Sequence, residues 1–439
     1  MNGLQPSGRD TYAASGYART RWSYTIECAF EYFVALLVAN PFLTSLLTYL
    51  NLSDATIGII QSIISVAFLF QLASLLVVQR ITNVKRFAAT LHTVGQLLFL
   101  FLYLIPFLPI SEAYRPTVVI VCLLLGYFGN YLVTSIIFRW GNSYVDPTRR
   151  ARFAGTKEMI SLISGMAVTL TMGWVYDHFK DDIETAFIIT AVVMAVVCGF
   201  DFLCLMLMKN RITAPPQKQN IVPLWKVIKI LFTNRGFVCV LIATVLWQSA
   251  HYFILGFMGT YELGELALGV GFVQIIKNSG VLARFVMTRP IAKYTDKRSY
   301  AKGLALGMTI TSTAYLINVF TSPNLWWFVI IYTVLNGIGN AGTGQNFQNI
   351  CYSYVEEQYF VQASAIRNSV GGVFGFLAAL AGGKILSAVQ AVDPARGSIE
   401  LFGIELYGQQ LLSAIAFLLA VLAVLFVRFV LEKQRIIAK

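Results

Sequence analysis

GNYLVTSIIFRWGNSYVDPTRRARFAGTKEMISLISG, residues 129–165, joins one apolar run to the next through a short, strongly basic connection. Residues 339–375 carry a second version, GNAGTGQNFQNICYSYVEEQYFVQASAIRNSVGGVFG. Gly129-Asn130 aligns with Gly339-Asn340, Ser143-Tyr144-Val145 with Ser353-Tyr354-Val355, and Gly165 with Gly375. Asp146 falls against Glu356 and Lys157 against Arg367. Both copies sit at the same place in two halves of an apolar chain, the pattern of parallel internal repeats.

Working outward, the halves match twice more. Gly58-Ile-Ile-Gln61 corresponds to Gly271-Phe-Val-Gln274, and RITNVKRFAATL from Arg80 to KYTDKRSYAKGL from Lys293. Three matches in one order point to duplication of a unit.

The chain is 57% hydrophobic and only 12% charged, with a mean hydropathy of +0.68. That is too little charge to solvate a water-soluble chain of 439 residues. Apolar runs of about 20 residues recur, long enough to cross roughly 30 Å of hydrocarbon. The expected fold is an all-α polytopic membrane protein with twelve transmembrane helices in two pseudo-symmetric six-helix bundles. The first six spans are expected near 24–50, 55–79, 87–109, 117–140, 153–177 and 184–208. The second six are expected near 236–261, 267–289, 300–321, 325–349, 362–387 and 409–431. Residues 1–22 and 433–439 read as tails, 23–208 and 236–432 as the two bundles, and 209–235 as their linker. Pro215-Pro216 breaks any helix in that linker. Beyond it, Trp225, Ile228, Leu231 and Phe232 alternate with Lys226 and Lys229, as in a helix lying on a lipid surface.

The net charge of +12 does not indicate nucleic-acid binding. Most Lys and Arg lie on alternate connections and at the two ends, the positive-inside pattern, which places both termini in the cytoplasm. Residues 1–20 lack the apolar core of a cleavable signal. The six cysteines, in or at the ends of apolar runs, have no metal-ligand spacing. No phosphate-binding loop is present, since Gly383-Lys384 runs into Ile385, and no nucleophile or zinc pattern occurs. The chain reads as neither an enzyme nor a cofactor protein.

The six-plus-six layout and its basic connections resemble the major facilitator superfamily over nearly the whole chain. The connection after the eighth span is similar to that family's G-x-x-x-D-R-x-G-R-K motif in Asp296, Lys297 and Arg298, with Ala292 at the glycine position. The first copy keeps Arg80, Lys85 and Arg86 but has Asn83 where the second has Asp296. Pro147, Arg149, Arg150, Arg152, Phe153 and Gly155 resemble the family's connection after the fourth span. The resemblance implies solute transport by alternating access, with Arg80, Lys85, Arg86, Arg152, Asp296 and Arg298 as gating candidates. Arg367, nearer a cytoplasmic end, joins them.

Charged groups inside apolar runs are costly, so they face a cavity or a partner. Lys277-Asn278 in the eighth span is the strongest such pair, as a solute contact or a partner of a carboxylate. Glu27 and Glu31 share one face of the first span. Glu31, a turn deeper, and Glu27, nearer the mouth, are the proton-coupling candidates, Glu27 reading first as a water-facing charge, and Asp201 is a weaker rival. Gln248, His251 and Tyr252 in the seventh span and Asn40, Asn130, Asn336 and Asn340 are further solute contacts, with interhelix bonding as the alternative for the amides. The partners expected are a small solute, a coupling ion (a proton before sodium) and the lipid bilayer, with the chain acting as a monomer in a bacterial plasma membrane. The solute expected is sugar- or amino-acid-like. Proton-driven drug or organic-anion efflux is the alternative, and a non-transporting receptor or scaffold the alternative of another class.

Overall fold

The computed structural model describes residues 17–77, 83–145, 150–209, 224–356, 359–392, 398–401 and 404–434. The first half is built from α1 (Tyr17–Leu37), α2 (Phe42–Tyr49), α3 (Asp54–Gln61), α4 (Ile63–Ala67), α5 (Phe70–Val77), α6 (Val84–Leu102), α7 (Arg115–Asn142), α8 (Arg150–His178) and α9 (Ile183–Leu207). After α10 (Leu224–Thr233), the second half runs through α11 (Arg235–Leu255), α12 (Val270–Lys297), α13 (Tyr300–Asn318), α14 (Phe328–Asn349), α15 (Phe360–Gln390) and α16 (Gly408–Phe429). Among the described residues nine helical stretches are long and apolar enough to cross a membrane. Helices α6, α13 and α14 occupy the places of the expected third, ninth and tenth spans.

The outer surface of the helices is what a bilayer requires. On α9, Ile188, Val192, Val196, Phe200 and Leu203 are exposed, while Phe187, Thr190, Met194, Cys198, Asp201 and Leu205 are buried. One stripe of large apolar side chains faces outward and the polar side chains face inward, the reverse of a water-soluble helix. Helix α16 repeats this with Leu418, Leu422, Leu425 and Phe429 exposed.

Three local features depart from the expected spans. The first span is two helices, α1 and α2, because Pro41 has no N–H to continue the ladder. The second is broken at Ser62, whose hydroxyl donates to Gly58 O at 2.8 Å. Between α15 and α16, where a plain connection was expected, β1 (Ser398–Leu401) pairs antiparallel with β2 (Ile404–Tyr407). Residues Leu224–Thr233 form α10, on which Val227 and Leu231 are buried while Trp225, Ile228 and Phe232 are exposed, so Leu231 departs from the face expected for it. Pro215-Pro216 and the basic connection at 146–149 lie outside the described residues.

The chain divides into two compact units, Met1–Ala39 with Ala73–Asn220, and Asn40–Leu72 with Ile221–Lys439. In the first unit α6 and α7 cross closely. A Cβ on Gly95 would lie 2.8 Å from Gly126 O, so only glycine fits there. The second unit uses the same device between α13 and α14, where a Cβ on Gly307 would lie 2.7 Å from both Gly339 O and Thr343 N. The glycine-rich GIGNAGTG run is therefore a helix-packing surface. The two copies of Ser-Tyr-Val also do equivalent work. The Tyr144 hydroxyl donates to Lys209 O just past α9, and the Tyr354 hydroxyl donates to Leu431 O just past α16, at 3.0 Å. Each tyrosine ties the fourth span of its half to the end of the sixth.

Candidate functional site

In the first unit the polar side chains converge on a dry point between α1, α6 and α9. His92 Nε2 lies 3.1 Å from Asp201 Oδ2 and 2.8 Å from Gln96 Nε2. Donor atoms of Glu27, His92 and Asp201 lie within 4.8 Å of one another. Glu27, His92 and Asp201 are 0% exposed and Gln96 is 1% exposed. The expectation that Glu27 faces water is thus overturned. Helix α1 begins at Tyr17, before the apolar run does, so Glu27 stands about 15 Å along it. Asp201, ranked below the α1 carboxylates from sequence, lies on the buried face of α9 opposite its apolar stripe. His92 carried no sequence signal of its own. Its only mark was Gln96 four residues on, which puts both on one face of α6. Glu31 is half-buried. The Cys28 thiol donates to Glu27 Oε2 at 3.3 Å, and Lys157 Nζ donates to Cys28 Sγ at 3.1 Å and to the Tyr24 hydroxyl at 3.3 Å. Asn130 lies at the close crossing of α6 and α7, its Cγ 3.3 Å from where a Gly95 Cβ would stand.

The second unit holds a polar belt. Lys277 Nζ pairs with Glu262 Oε2 at 3.0 Å, and the Glu262 side chain is 1% exposed against 27% for Lys277. Glu262 lies in a π-helical turn, Tyr261–Glu265, that ends the seventh span. Sequence reading missed it because the polar YELGE stretch reads as a connection rather than as wall. Its π-turn is a geometry that often accompanies functional sites. Further along, His251 Nδ1 and the Tyr315 hydroxyl are 3.0 Å apart, the Tyr315 ring neighbours those of Trp247 and Tyr332, and Tyr332 is within electrostatic reach of Glu262. Gln248 lies beside Gly371 and Tyr252 beside Gly375, both on α15. Asn278 is buried, while Asn336 and Asn340 are half-buried on the α14 face that continues from Tyr332.

Asn40 does something different. Its Nδ2 donates to Leu255 O at 3.1 Å, and its Oδ1 accepts from Thr44 Oγ1 at 2.5 Å and from Gln61. It belongs to a line of contacts between residues 40–72 and helices α11 and α15. Gln390 Nε2 donates to Asp54 Oδ2 at 2.7 Å, Asn368 Nδ2 to Gln71 Oε1 at 3.0 Å, and Ser369 Oγ to Phe68 O at 3.1 Å. A Cβ on Gly256 would lie 2.6 Å from Ser62 Oγ, so glycine permits the approach.

The sequence model described as Major Facilitator Superfamily matches residues 28–379. The chain belongs to the major facilitator superfamily. Among solved structures, the nucleoside transporter NupG is 14% identical with a TM-score of 0.71, covering 95% of this chain and 100% of its own. A bacterial homologue of the human lysosomal transporter Spinster, inward-facing and unoccupied, is 14% identical with a TM-score of 0.66, covering 98% of both chains. A bacterial homologue of the human drug peptide transporters PepT1 and PepT2 is 14% identical with a TM-score of 0.67, covering 95% of this chain and 98% of its own. At that identity the likeness is one of fold. No curated protein sequence matches the chain. The protein is an integral membrane transporter rather than an enzyme.

The residues that resemble the superfamily's basic motifs are distributed unevenly. Lys85 Nζ donates to Met206 O at 2.5 Å and Met208 O at 2.9 Å, capping the end of α9. Arg86, Asp296 and Arg298 are exposed. Arg80 and the side chain of Arg152 lie outside the described residues. Arg367 is 5% exposed, its guanidinium donating to Phe347 O and, at 2.5 Å, to Asn368 Oδ1, with the Phe347 ring 5.6 Å away.

Proposed function

We propose that this transporter moves a small polar organic solute, sugar- or amino-acid-like, by alternating access and is driven by protons. The observation that carries the reading is the charge balance of the second-unit belt. Lys277 is paired with Glu262 next to it, and His251, Tyr315, Tyr332, Asn336 and Asn340 add hydrogen-bonding groups without a fixed charge. Such a wall suits a neutral or zwitterionic solute, whose hydroxyls or amines exchange hydrogen bonds without stranding a charge. Glu31 is the proposed proton acceptor: a half-buried carboxyl on α1 whose electrostatic neighbours are His92, Asp201 and Lys157. Gln248, Tyr252, Asn278 and Asn130 remain proposed solute contacts, whereas Asn40 is assigned to the contact between residues 40–72 and α11. Twelve spans with cytoplasmic termini remain part of the proposal.

Proteoliposome uptake across a panel of sugars, nucleosides and amino acids, with an imposed pH gradient, tests it. Accumulation that collapses with a protonophore supports the reading. Accumulation indifferent to the protonophore removes the proton, and binding without flux of any solute would make the protein a receptor. Organic-anion transport is the second reading, because the buried Arg367 guanidinium is held by a carbonyl and an amide. Competition by a carboxylate or phosphate ester, lost in Arg367→Gln, would favour it.

A further inference from the structure

We infer that the dry cluster on α1, α6 and α9 is a binding site for a divalent first-row transition cation, held by Glu27, His92 and Asp201. The three side chains are wholly buried, and their donor atoms lie within 4.8 Å of one another. A tetrahedral ion with bonds near 2.0–2.2 Å sets its donors roughly 3.3–3.6 Å apart. His92 Nε2 and Asp201 Oδ2 are already at 3.1 Å, so any closure still needed involves Glu27, whose donor atom lies within 4.8 Å of both. Glu27 Oε1, Asp201 Oδ1 and Gln96 Oε1 are buried and accept no hydrogen bond. They are buried lone pairs without a donor, a deficit that a cation held among these side chains satisfies. Turned end for end, the Gln96 amide presents its oxygen to the same point as a fourth ligand.

Charge argues the same way. Two carboxylates and a neutral imidazole carry a charge of minus two, which a dication cancels, whereas isolated buried charges are costly in a bilayer. Lys157 is engaged by Cys28 and Tyr24 instead. An imidazole with two carboxylates suits Mn²⁺, Fe²⁺, Co²⁺ or Zn²⁺ over Mg²⁺ or Ca²⁺, which prefer oxygen alone. The site lies in the first unit and does not depend on the transport reading. Failure to bind leaves proton-driven uptake standing, and binding without uptake leaves the site standing.

The test is titration of the full-length protein, purified in detergent with a tag free of histidine and stripped with chelator, using Co²⁺ followed by absorption and by calorimetry. About one Co²⁺ per chain is expected, displaced by Zn²⁺ or Mn²⁺ but not by excess Mg²⁺. Asp201→Asn and His92→Phe should each weaken binding by roughly 100-fold or more, the upper end of what even supporting groups contribute. His178→Ala, at the exposed end of α8, should leave it unchanged. X-ray absorption on the wild-type complex should give a first shell of nitrogen and oxygen with one imidazole, a readout that needs no folded variant. Wild-type protein that retains no Co²⁺, or binding that survives Asp201→Asn and follows His178, overturns the site.

Discussion

Replacing Lys277 with Ala tests whether the belt of the second unit is held by its ion pair. Glu262 is 1% exposed and its carboxylate faces Lys277 Nζ at 3.0 Å. Without the ammonium, a buried carboxylate is stranded, at a cost of about 3–5 kcal/mol. The opposite change, Glu262→Gln, strands an ammonium that is 27% exposed and can extend its long stem toward water, so the loss should be smaller, about 1 kcal/mol. The double variant removes both charges and should return near wild type, because neutral replacements of a buried pair are often tolerated. Unfolding in mixed micelles, followed by near-UV circular dichroism, measures all four corners of the cycle. Losses that simply add, or a Lys277→Ala loss no larger than that of Glu262→Gln, would refute the reasoning. Uptake by the same proteins separates structure from recognition. A stable double variant that transports makes the pair a strut, and one that is stable but inactive places Lys277 against the solute.

Glu31→Gln should abolish the response of uptake to an imposed proton gradient while leaving solute exchange intact; pH-driven uptake at the wild-type level would assign coupling elsewhere. Gly307→Val drives a side chain into Gly339 O and should cost about 1–3 kcal/mol or block assembly. Gly199→Ala, at a site open to 4 Å, should be silent in the same melt, and equal effects would contradict the packing argument. Tyr354→Phe removes the tie to Leu431 O and should cost about 1 kcal/mol, with Tyr144→Phe losing a similar amount if the repeat tyrosines are equivalent. A short reducible cross-linker between Gln71→Cys and Asn368→Cys should stop uptake until it is cleaved, and cross-linked protein that transports normally would mean that this contact never opens.

What the sequence made legible follows the reach of each signal. Hydropathy is local and repetitive, so the helices were readable, and the duplicated Ser-Tyr-Val marked two tyrosines that do the same job in two places. Close helix packing at residues 337–344, GIGNAGTG, has a mark in the sequence itself, because glycine spacing is the cause of the approach. Glu262 was not legible: it borders a connection in sequence, and the π-turn that folds it inward toward Lys277 has no compositional mark. His92 and Asp201 meet although they lie far apart in the chain, and each alone looks like an isolated polar residue in an apolar helix. The β1–β2 hairpin was readable in principle, since SIEL and IELY alternate with period two, but the long helices on either side masked so short a pattern.

Charged contacts and neutral hydrogen bonds fall in different places in the chain. The His92–Asp201 contact lies within the first unit, and the Lys277–Glu262 and Lys302–Glu432 pairs join segments of the second sequence half to each other. The contacts that join residues 40–72 to the second sequence half are of another kind. Asn40 to Leu255, Asn368 to Gln71 and Ser369 to Phe68 are neutral hydrogen bonds, and Gln390 to Asp54 is an amide on a carboxylate near the end of α15. A neutral bond contributes about 0.5–1.5 kcal/mol net, against about 3–5 kcal/mol for stranding one member of a buried ion pair. Glycines at 256 and 372 complete the contact with backbone rather than interlocked side chains. If the proposed alternating-access cycle opens this surface, one closed by amides and glycines can part without leaving a bare charge in lipid.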